Sequence, residues 1–165
     1  MGYRNKTYII FDGDEDMWAY AYMLGWKKNE NIDFNFNDAH DLNTITNLSS
    51  EENTKRKLRE RFATAKQAIV LIGEKTKNLY RFVRWEIEVA QALGLPIVAV
   101  NLNKLRAIDP ARCPAILRDA DAVHVAFQMK IIKHAMDNFC GNYSQYKGKG
   151  DNWSYNDNVY AGFGL

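Results

Sequence analysis

Apolar and polar residues alternate along the chain in blocks that predict strands and helices in turn. The clearest block spans residues 67–100, where two continuous apolar runs flank a segment of helical spacing. Continuous apolar runs are typical of strands that are covered on both faces, as they are in parallel sheets. Residues 67–73, 81–94 and 96–100 are therefore predicted to form a strand, a helix and a second, parallel strand.

Segments on both sides of this unit continue the pattern. We predict three further strands, at residues 7–11, 32–36 and 122–127. A helix is expected over residues 17–25, another after a capping box of Ser49 and Glu52, and a last one that ends at Gly141. Residues 101–117 then form a long connection between the fourth and fifth strands.

Five strands that alternate with helices predict an α/β fold. Handedness and adjacency rules give a flavodoxin-like three-layer sandwich with a five-stranded parallel sheet of order 2-1-3-4-5. We assign residues 1–142 to this domain and residues 143–165 to an aromatic-rich C-terminal extension of the same domain. Disordered segments are normally poor in aromatic residues, so the extension is expected to pack on the domain or across an oligomer contact.

Composition and charge exclude several classes of function. A chain of 165 residues can bury a core as one domain, and its formal charge of +2 is too small to indicate nucleic-acid binding. No apolar run approaches the length of a membrane span and no secretory signal is recognised, so we expect a cytoplasmic protein without a membrane partner. Cys113 and Cys140 lack metal-site spacing, as do the histidines, and no metal is expected.

Glu86 is the most informative residue of the central helix, because it falls within the apolar sector of the helical wheel. That sector contains Val83, Ile87, Ala90 and Gly94 and is widened by Phe82, Val89 and Leu93. Glu88 instead falls on the opposite face with Arg84, where a solvated carboxylate belongs. A carboxylate that faces a core is unfavourable unless it is paired, hydrogen-bonded or used in chemistry. The residues alone leave open whether Glu86 is functional or simply paired with an arginine.

The predicted topology brings other polar residues towards Glu86. A helix that follows a parallel strand begins at the carboxyl edge of the sheet, which is where open α/β sheets bind ligands. The first and third strands are neighbours in the predicted order, so Phe11 and Asp12 are expected near the turn before Glu86. Asp38, just past the second strand, is expected to flank them. These residues define a candidate binding site.

Two phosphate-related motifs are incomplete. Phe11-Asp12-Gly13-Asp14 is similar to the first motif of haloacid-dehalogenase phosphatases, but that motif requires Thr where Asp16 stands, and the next strand ends without Ser or Thr. Capping of the following helix is the simpler interpretation of Asp14. The chain also contains neither a G-x-G-x-x-G motif nor a P-loop, so ordinary dinucleotide or NTP binding is unsupported.

Three segments together resemble a known family. Residues 69–74, Val83-Arg84-Trp85-Glu86-Ile87-Glu88 and residues 94–100 look like the TIR-like family that includes the Thoeris ThsB proteins of bacterial anti-phage defence. The opening strand, 8–12, agrees in spacing. The resemblance covers residues 7–101 well and says little about the extension. Trp85 directly precedes the glutamate, which fits the TIR-like branch better than the common TIR pattern.

The resemblance implies an enzyme that cleaves the bond between nicotinamide and ribose in NAD+. The product would be an ADP-ribose-derived nucleotide, a diffusible signal for a separate effector protein, with a phage-derived trigger and self-association as further features. NAD+ is then a substrate, and no cofactor is required. By position the catalytic glutamate is Glu86, and Phe11, Asp12, Asp38 and Trp85 are expected to bind the substrate.

Two other functions are compatible with the same fold. A non-catalytic TIR-like interaction module would work through homotypic contacts, and the basic helix face at residues 55–61 and the aromatic extension favour it slightly. A nucleoside deoxyribosyltransferase uses a similar sheet and a glutamate nucleophile, but it would exchange bases on deoxynucleosides and ignore NAD+.

Overall fold

The computed structural model describes residues 6–31, 34, 37–38, 50–79 and 81–165, with only the backbone of 37–38. Its strands are β1 (Lys6–Ile10), β2 (Asn37–Asp38), β3 (Gln67–Ile72), β4 (Ile97–Asn101), β5 (Ala122–Ala126) and β6 (Asn152–Ser154). Its α-helices are α1 (Met17–Lys28), α2 (Glu51–Phe62), α3 (Phe82–Ala92), α4 (Ala115–Arg118), α5 (Met129–Ala135) and α6 (Asp157–Gly162).

The described strands form one parallel sheet in the order β2-β1-β3-β4-β5-β6. The predicted α/β class and parallel sheet are therefore confirmed. The sixth strand is an addition that we did not predict. Ile9 lies in register with Ile69, and Ile69 with Val98, so the three central strands present continuous apolar side chains to both helical layers.

Alternate residues of β1 show how the two layers are filled. Tyr8 and Ile10 pack with α2, α3 and α4, whereas Ile9 and Phe11 pack with α1 and α5. The sheet thus separates two apolar cores, each covered by its own helices. Among the described residues, no helix has both the length and the apolar character needed to cross a bilayer.

Several predicted boundaries differ from the structure. The second strand was expected at residues 32–36, most of which lie outside the described residues, and the described strand is Asn37–Asp38. Asp16, not Asp14, is the residue that precedes α1. Ser50 caps α2 by accepting a hydrogen bond from the Asn53 backbone N–H at 3.2 Å, and Ser49 lies outside the described residues.

The C-terminal residues pack against the domain itself. Asn152–Ser154 pair with β5, and α6 follows directly. Tyr160 is fully buried, and its hydroxyl oxygen accepts a hydrogen bond from the Ala126 backbone N–H at 3.1 Å. The Arg106 guanidinium lies over the Tyr160 ring at 4.2 Å and pairs with Asp157 at 3.0 Å. These contacts fix the tail at the carboxyl end of β5.

Candidate active site

The burial pattern of α3 places Glu86 between two apolar flanks. Val83, Ile87 and Ala90 are buried on one side of it, and Trp85 and Val89 are buried on the other. Both flanks belong to the core between the sheet and the helices α2, α3 and α4. Glu86 therefore projects from the middle of the buried arc of its helix, as the helical wheel predicts.

Glu86 carries a carboxylate oxygen that the surrounding protein does not satisfy. The residue as a whole is partly exposed, but its Oε2 atom is buried and has no hydrogen-bond partner within the described ranges. Burial raises the pKa of Glu86 from 4.5 to about 8, and the positive charge of Arg61 on α2 lowers it only in part. A group in this state can accept a hydrogen bond or stabilise a nearby positive charge.

An ion-pair network fixes α3 against α2. Lys55 Nζ lies 2.5 Å from Glu88 Oε2 and 2.9 Å from Glu51 Oε1, and Arg84 Nε lies 2.9 Å from Glu88 Oε1. The expectation that Glu88 is an ordinary solvated carboxylate is therefore wrong, because α2 packs beside that face of α3. The hydrogen bond from Lys55 lowers the pKa of Glu88 below its ordinary value.

A second group of carboxylates lies where β1 and β3 end. Asp12 and Asp16 are both buried, and Asp16 Oδ2 accepts a hydrogen bond from Thr76 Oγ1 at 3.4 Å. Thr76 Oγ1 also accepts a hydrogen bond from the Gly73 backbone N–H at 2.8 Å. Burial, and secondarily the charge of Asp12, raises the pKa of Asp16. The carboxyl edge at the β1–β3 junction is thus acidic and largely enclosed.

The structure brings only some of the expected residues near Glu86. Phe11 is buried on the α1 side of the sheet, where it stacks on Tyr20 with ring centroids 4.8 Å apart, whereas Glu86 lies on the α2–α3 side. Asp12 follows β1, and its Oδ1 accepts hydrogen bonds from the backbone N–H groups of Asp14 and Glu15. Phe11 therefore lies on the opposite side of the sheet from Glu86, and Asp12 holds the turn between β1 and α1 through these hydrogen bonds.

The positions of Trp85 and Asp38 also differ from those expected of substrate-binding residues. Trp85 packs edge-on against Phe82 and under the Arg81 guanidinium, with its ring in the α2–α3 core. Asp38 pairs with Thr7, five residues before Asp12, so its backbone lies about 16 Å from the carboxyl edge instead of beyond it. The prediction that Asp38 follows the second strand is therefore wrong, because Asp38 lies within β2.

Sequence reasoning missed Asp16 and Thr76. In the sequence, Asp16 is notable only because it stands where the phosphatase motif requires Thr, yet it is 5% exposed and lies against Gly73. A glycine directly after a buried strand was the signal, because such a position often admits the close approach of another group. Of the two described cavities, the smaller, of about 40 Å³, is lined in part by Thr76, and the larger, of about 420 Å³, is lined by Gln91, Ile116 and their neighbours.

The parallel sheet and the inward-facing glutamate after its third strand define a TIR-like α/β domain. The sequence model of the TIR-like domain of the Thoeris protein ThsB matches residues 8–107, which is more than half of the chain. The chain therefore belongs to the Thoeris ThsB TIR-like family. No curated protein sequence matches it at a significant level. The matched range includes the last three residues of β1, all of α3 and therefore Glu86, and it ends before α4 and the C-terminal tail.

Proposed function

We propose that this protein cleaves the N-glycosidic bond between nicotinamide and ribose in NAD+, with Glu86 as its catalytic residue. The observation that carries the proposal is the buried, unpartnered Oε2 atom of Glu86 on the helix after the third strand of a ThsB TIR-like domain. Buried polar atoms are normally hydrogen-bonded, and exceptions are concentrated where a ligand or a reaction supplies the missing partner.

The chemistry suits a fixed carboxylate. As the C1′–N bond breaks, its electron pair moves to the nicotinamide nitrogen, so neutral nicotinamide leaves and positive charge develops on the ribose. Ionised Glu86 stabilises that charge; two unit charges 4 Å apart interact by about 4 kcal/mol at an effective dielectric constant of 20. This corresponds to a roughly thousandfold increase in rate. Exclusion of water by the surrounding core supplies a further contribution.

The other residues that were predicted to bind the substrate have supporting roles in this proposal. Asp12 lies at the strand end that borders the β1–β3 junction, and Trp85 shields the inner side of α3 from water. Phe11 acts by holding the end of β1 against α1, since its ring packs on Tyr20. We assign Asp38 no direct contact with the substrate, because its backbone pairs with Thr7 near the start of β1.

In the cell, the cleavage would produce a signal. We propose that the ADP-ribosyl group is released as a cyclic or conjugated nucleotide that activates a separate effector in anti-phage defence. NAD+ is the substrate, no cofactor takes part, and the protein works in the cytoplasm, silent until a phage-derived trigger or self-association activates it. The family assignment supports this context.

The decisive experiment measures nicotinamide release from NAD+ by the purified protein, with and without lysate from phage-infected cells. Wild-type protein should release nicotinamide, and Glu86→Gln should abolish the release while the protein remains folded. Glu60→Gln is a matched control, because Glu60 is an exposed residue of α2 that pairs with the exposed Arg56 at 3.4 Å. Absence of nicotinamide release from wild-type protein in triggered lysate contradicts the proposal. Base exchange on deoxynucleosides would instead identify a deoxyribosyltransferase.

A non-catalytic interaction module remains the second candidate, and an exposed apolar surface on α1 favours it. Met17, Trp18 and Tyr22 are 41%, 47% and 60% exposed, respectively. The tail and the basic helix face favour this candidate less than their sequences suggest, because the tail packs on its own domain and Lys55 and Arg56 pair with glutamates. Defence that survives Glu86→Gln but fails in Trp18→Ala would establish this alternative.

A further inference from the structure

Helix α1 presents an exposed face that carries no charge along most of its length. The α1 face consists of Met17, Trp18, Ala21, Tyr22 and Gly25, all of them exposed, and Lys28 follows at its end. Helices on a protein surface normally place charged and polar residues on their outer side. Met17, Trp18 and Tyr22 are instead large apolar side chains that remain exposed. Such a contiguous apolar face is typical of a surface that binds another molecule.

The aromatic residues of the α1 face are held in place by the domain beneath them. Trp18 packs edge-on against the buried ring of Phe127, with ring centroids 5.6 Å apart, and Tyr22 packs edge-on against Trp18 at 6.1 Å. Both rings therefore lose little conformational freedom when a partner covers them. Beside them, Gly25 leaves a groove, because nothing apart from its own helix backbone lies within 4 Å of its Cβ position.

The two ends of the α1 face carry opposite charges. Asp14 lies in the exposed turn that leads into α1, and Lys28 is the last residue of the helix. Neither side chain has a hydrogen-bond or ion-pair partner among the described residues. An antiparallel second copy of α1 brings its Lys28 to Asp14 and its Asp14 to Lys28, whereas a parallel copy brings like charges together. Charge complementarity therefore favours a second copy of this chain as the partner.

The residues of the α1 face also define one register for the antiparallel pair. When Ala21 lies on the two-fold axis, the residue four positions before it lies opposite the residue four positions after it on the second copy. Met17 is then opposite Gly25, where the missing side chain leaves room for it. The same relation, extended to seven positions, places Lys28 beside Asp14 of the second copy. Shape and charge are thus satisfied by the same arrangement.

We propose that the protein forms a two-fold symmetric dimer in which the α1 faces of two copies pack antiparallel, with Ala21 at the axis. Trp18 of each copy then packs against Tyr22 of the other. These two rings and Met17 offer roughly 300 Å² per copy, which is less than a stable interface requires. The dimer is therefore weak, with a Kd on the order of 0.1 mM. The inference is independent of the proposed NAD+ cleavage, and it assigns a surface and a geometry to self-association.

Cysteine cross-linking of the full chain tests the geometry. Ala21→Cys should form an intermolecular disulfide when it is oxidised with diamide, because the two Ala21 positions meet at the axis. Lys28→Cys is the matched control, since the two Lys28 positions lie about 20 Å apart, beyond the reach of a disulfide. The native thiols should give little background, because burial raises the pKa of both Cys113 and Cys140.

Sedimentation equilibrium tests the association itself. Wild-type protein should dimerise as its concentration rises from about 10 µM to about 500 µM. Gly25→Leu, which fills the space opposite Met17, should weaken dimerisation about tenfold without lowering Tm. Lys28→Glu should weaken it about threefold. The double variant Asp14→Lys/Lys28→Glu should restore wild-type association, because the charge pair returns with its signs exchanged.

Four results would overturn the inference. These are a wild-type protein that stays monomeric at every concentration, an Ala21→Cys protein that forms no disulfide, equal cross-linking of Ala21→Cys and Lys28→Cys, and a charge exchange that does not restore association. Equal cross-linking would show parallel or non-specific packing of the two helices. None of these measurements depends on Glu86, so the dimer and the proposed NAD+ cleavage can fail separately.

Discussion

The carboxylate of Asp16 lies so close to Gly73 that a methyl group added to the glycine would overlap both carboxylate oxygens. The contact joins the residue that precedes α1 to the residue that follows β3, at the junction where the strand order reverses. Only a residue without a side chain allows Asp16 to reach Thr76 in this arrangement.

Gly73→Ala should therefore destabilise the protein by about 1–3 kcal/mol, because Asp16 must leave its buried position. Chemical denaturation would measure the change. Gly13→Ala is a suitable control, since nothing lies within 4 Å of the Cβ position at Gly13. In an Asp16→Ala background the effect of Gly73→Ala should shrink; equal effects in both backgrounds would show that the overlap is not its cause.

The pH dependence of NAD+ cleavage should follow the ionisation of Glu86. Since burial raises the pKa of this carboxyl to about 8, the free protein holds it largely protonated at neutral pH. The ionised form stabilises the developing positive charge, so kcat/KM should rise with pH up to about 8 and then level off. Initial-rate measurements between pH 6 and 9 would test this. A rate that falls across this range contradicts the assigned role of Glu86.

Glu86→Gln should stabilise the fold at alkaline pH. Because the pKa of Glu86 is higher in the folded protein than the ordinary value of 4.5, the unfolded chain releases this proton first as the pH rises. Wild-type stability should therefore fall between about pH 4.5 and pH 8, and the glutamine variant should lack this contribution. A shift from 4.5 to about 8 corresponds to a gain of about 4 kcal/mol at pH 8, or roughly 8–16 °C in Tm. Thermal unfolding at pH 5 and pH 8 would distinguish this pH-dependent gain in stability from a gain that is equal at both pH values.

The ion pair between Lys55 and Glu88 should make a modest, acid-sensitive contribution to stability. Its side chains are 20% and 27% exposed, and the hydrogen bond from Lys55 lowers the pKa of Glu88. The stabilisation is present above the ordinary pKa of 4.5 and is lost as the pH falls through the lower, folded value. A double-mutant cycle of Lys55→Met and Glu88→Gln should give a coupling of about 1 kcal/mol at pH 7. The coupling should vanish near pH 2; a value that persists there would refute an ionic origin.

Removing the Tyr160 hydroxyl should weaken the attachment of the tail. In Tyr160→Phe the Ala126 backbone N–H loses its partner inside the core, and we expect a loss of about 1–2 kcal/mol. Tyr22→Phe provides the control, because Tyr22 is 60% exposed. Unfolding in urea would compare the two variants, and equal stabilities would show that the buried hydrogen bond contributes nothing.

The central architecture could be predicted because its signals are local. The apolar runs that became β3 and β4 allow burial on both faces, and the spacing between Val83 and Ala90 allows one helix between them. By contrast, β6 contains only Asn152, Trp153 and Ser154, and no periodicity distinguishes three residues from a loop. Its pairing with β5 depends on the packing of the surrounding aromatic residues, which is a tertiary effect.

The candidate site could be predicted only in part, for a similar reason. The inward direction of Glu86 follows from helical geometry alone. Which side of the sheet Phe11 occupies depends on the alternation along β1, and it determines that Phe11 stacks on Tyr20 and lies away from Glu86. The burial of Asp16 depends on groups far apart in sequence. Local patterns contain no information about such contacts.

The three-residue length of β6 has a consequence for assembly. Strands that end a sheet expose unpaired backbone groups and can recruit a strand from another chain, and long, flat edges do so most readily. Here β5 is shielded by β6, which offers only Asn152–Ser154 for further pairing before the chain turns into α6. A second copy of this protein that binds at the β6 edge must therefore bind through side-chain contacts. Strand pairing at this edge cannot extend the sheet from one copy to the next.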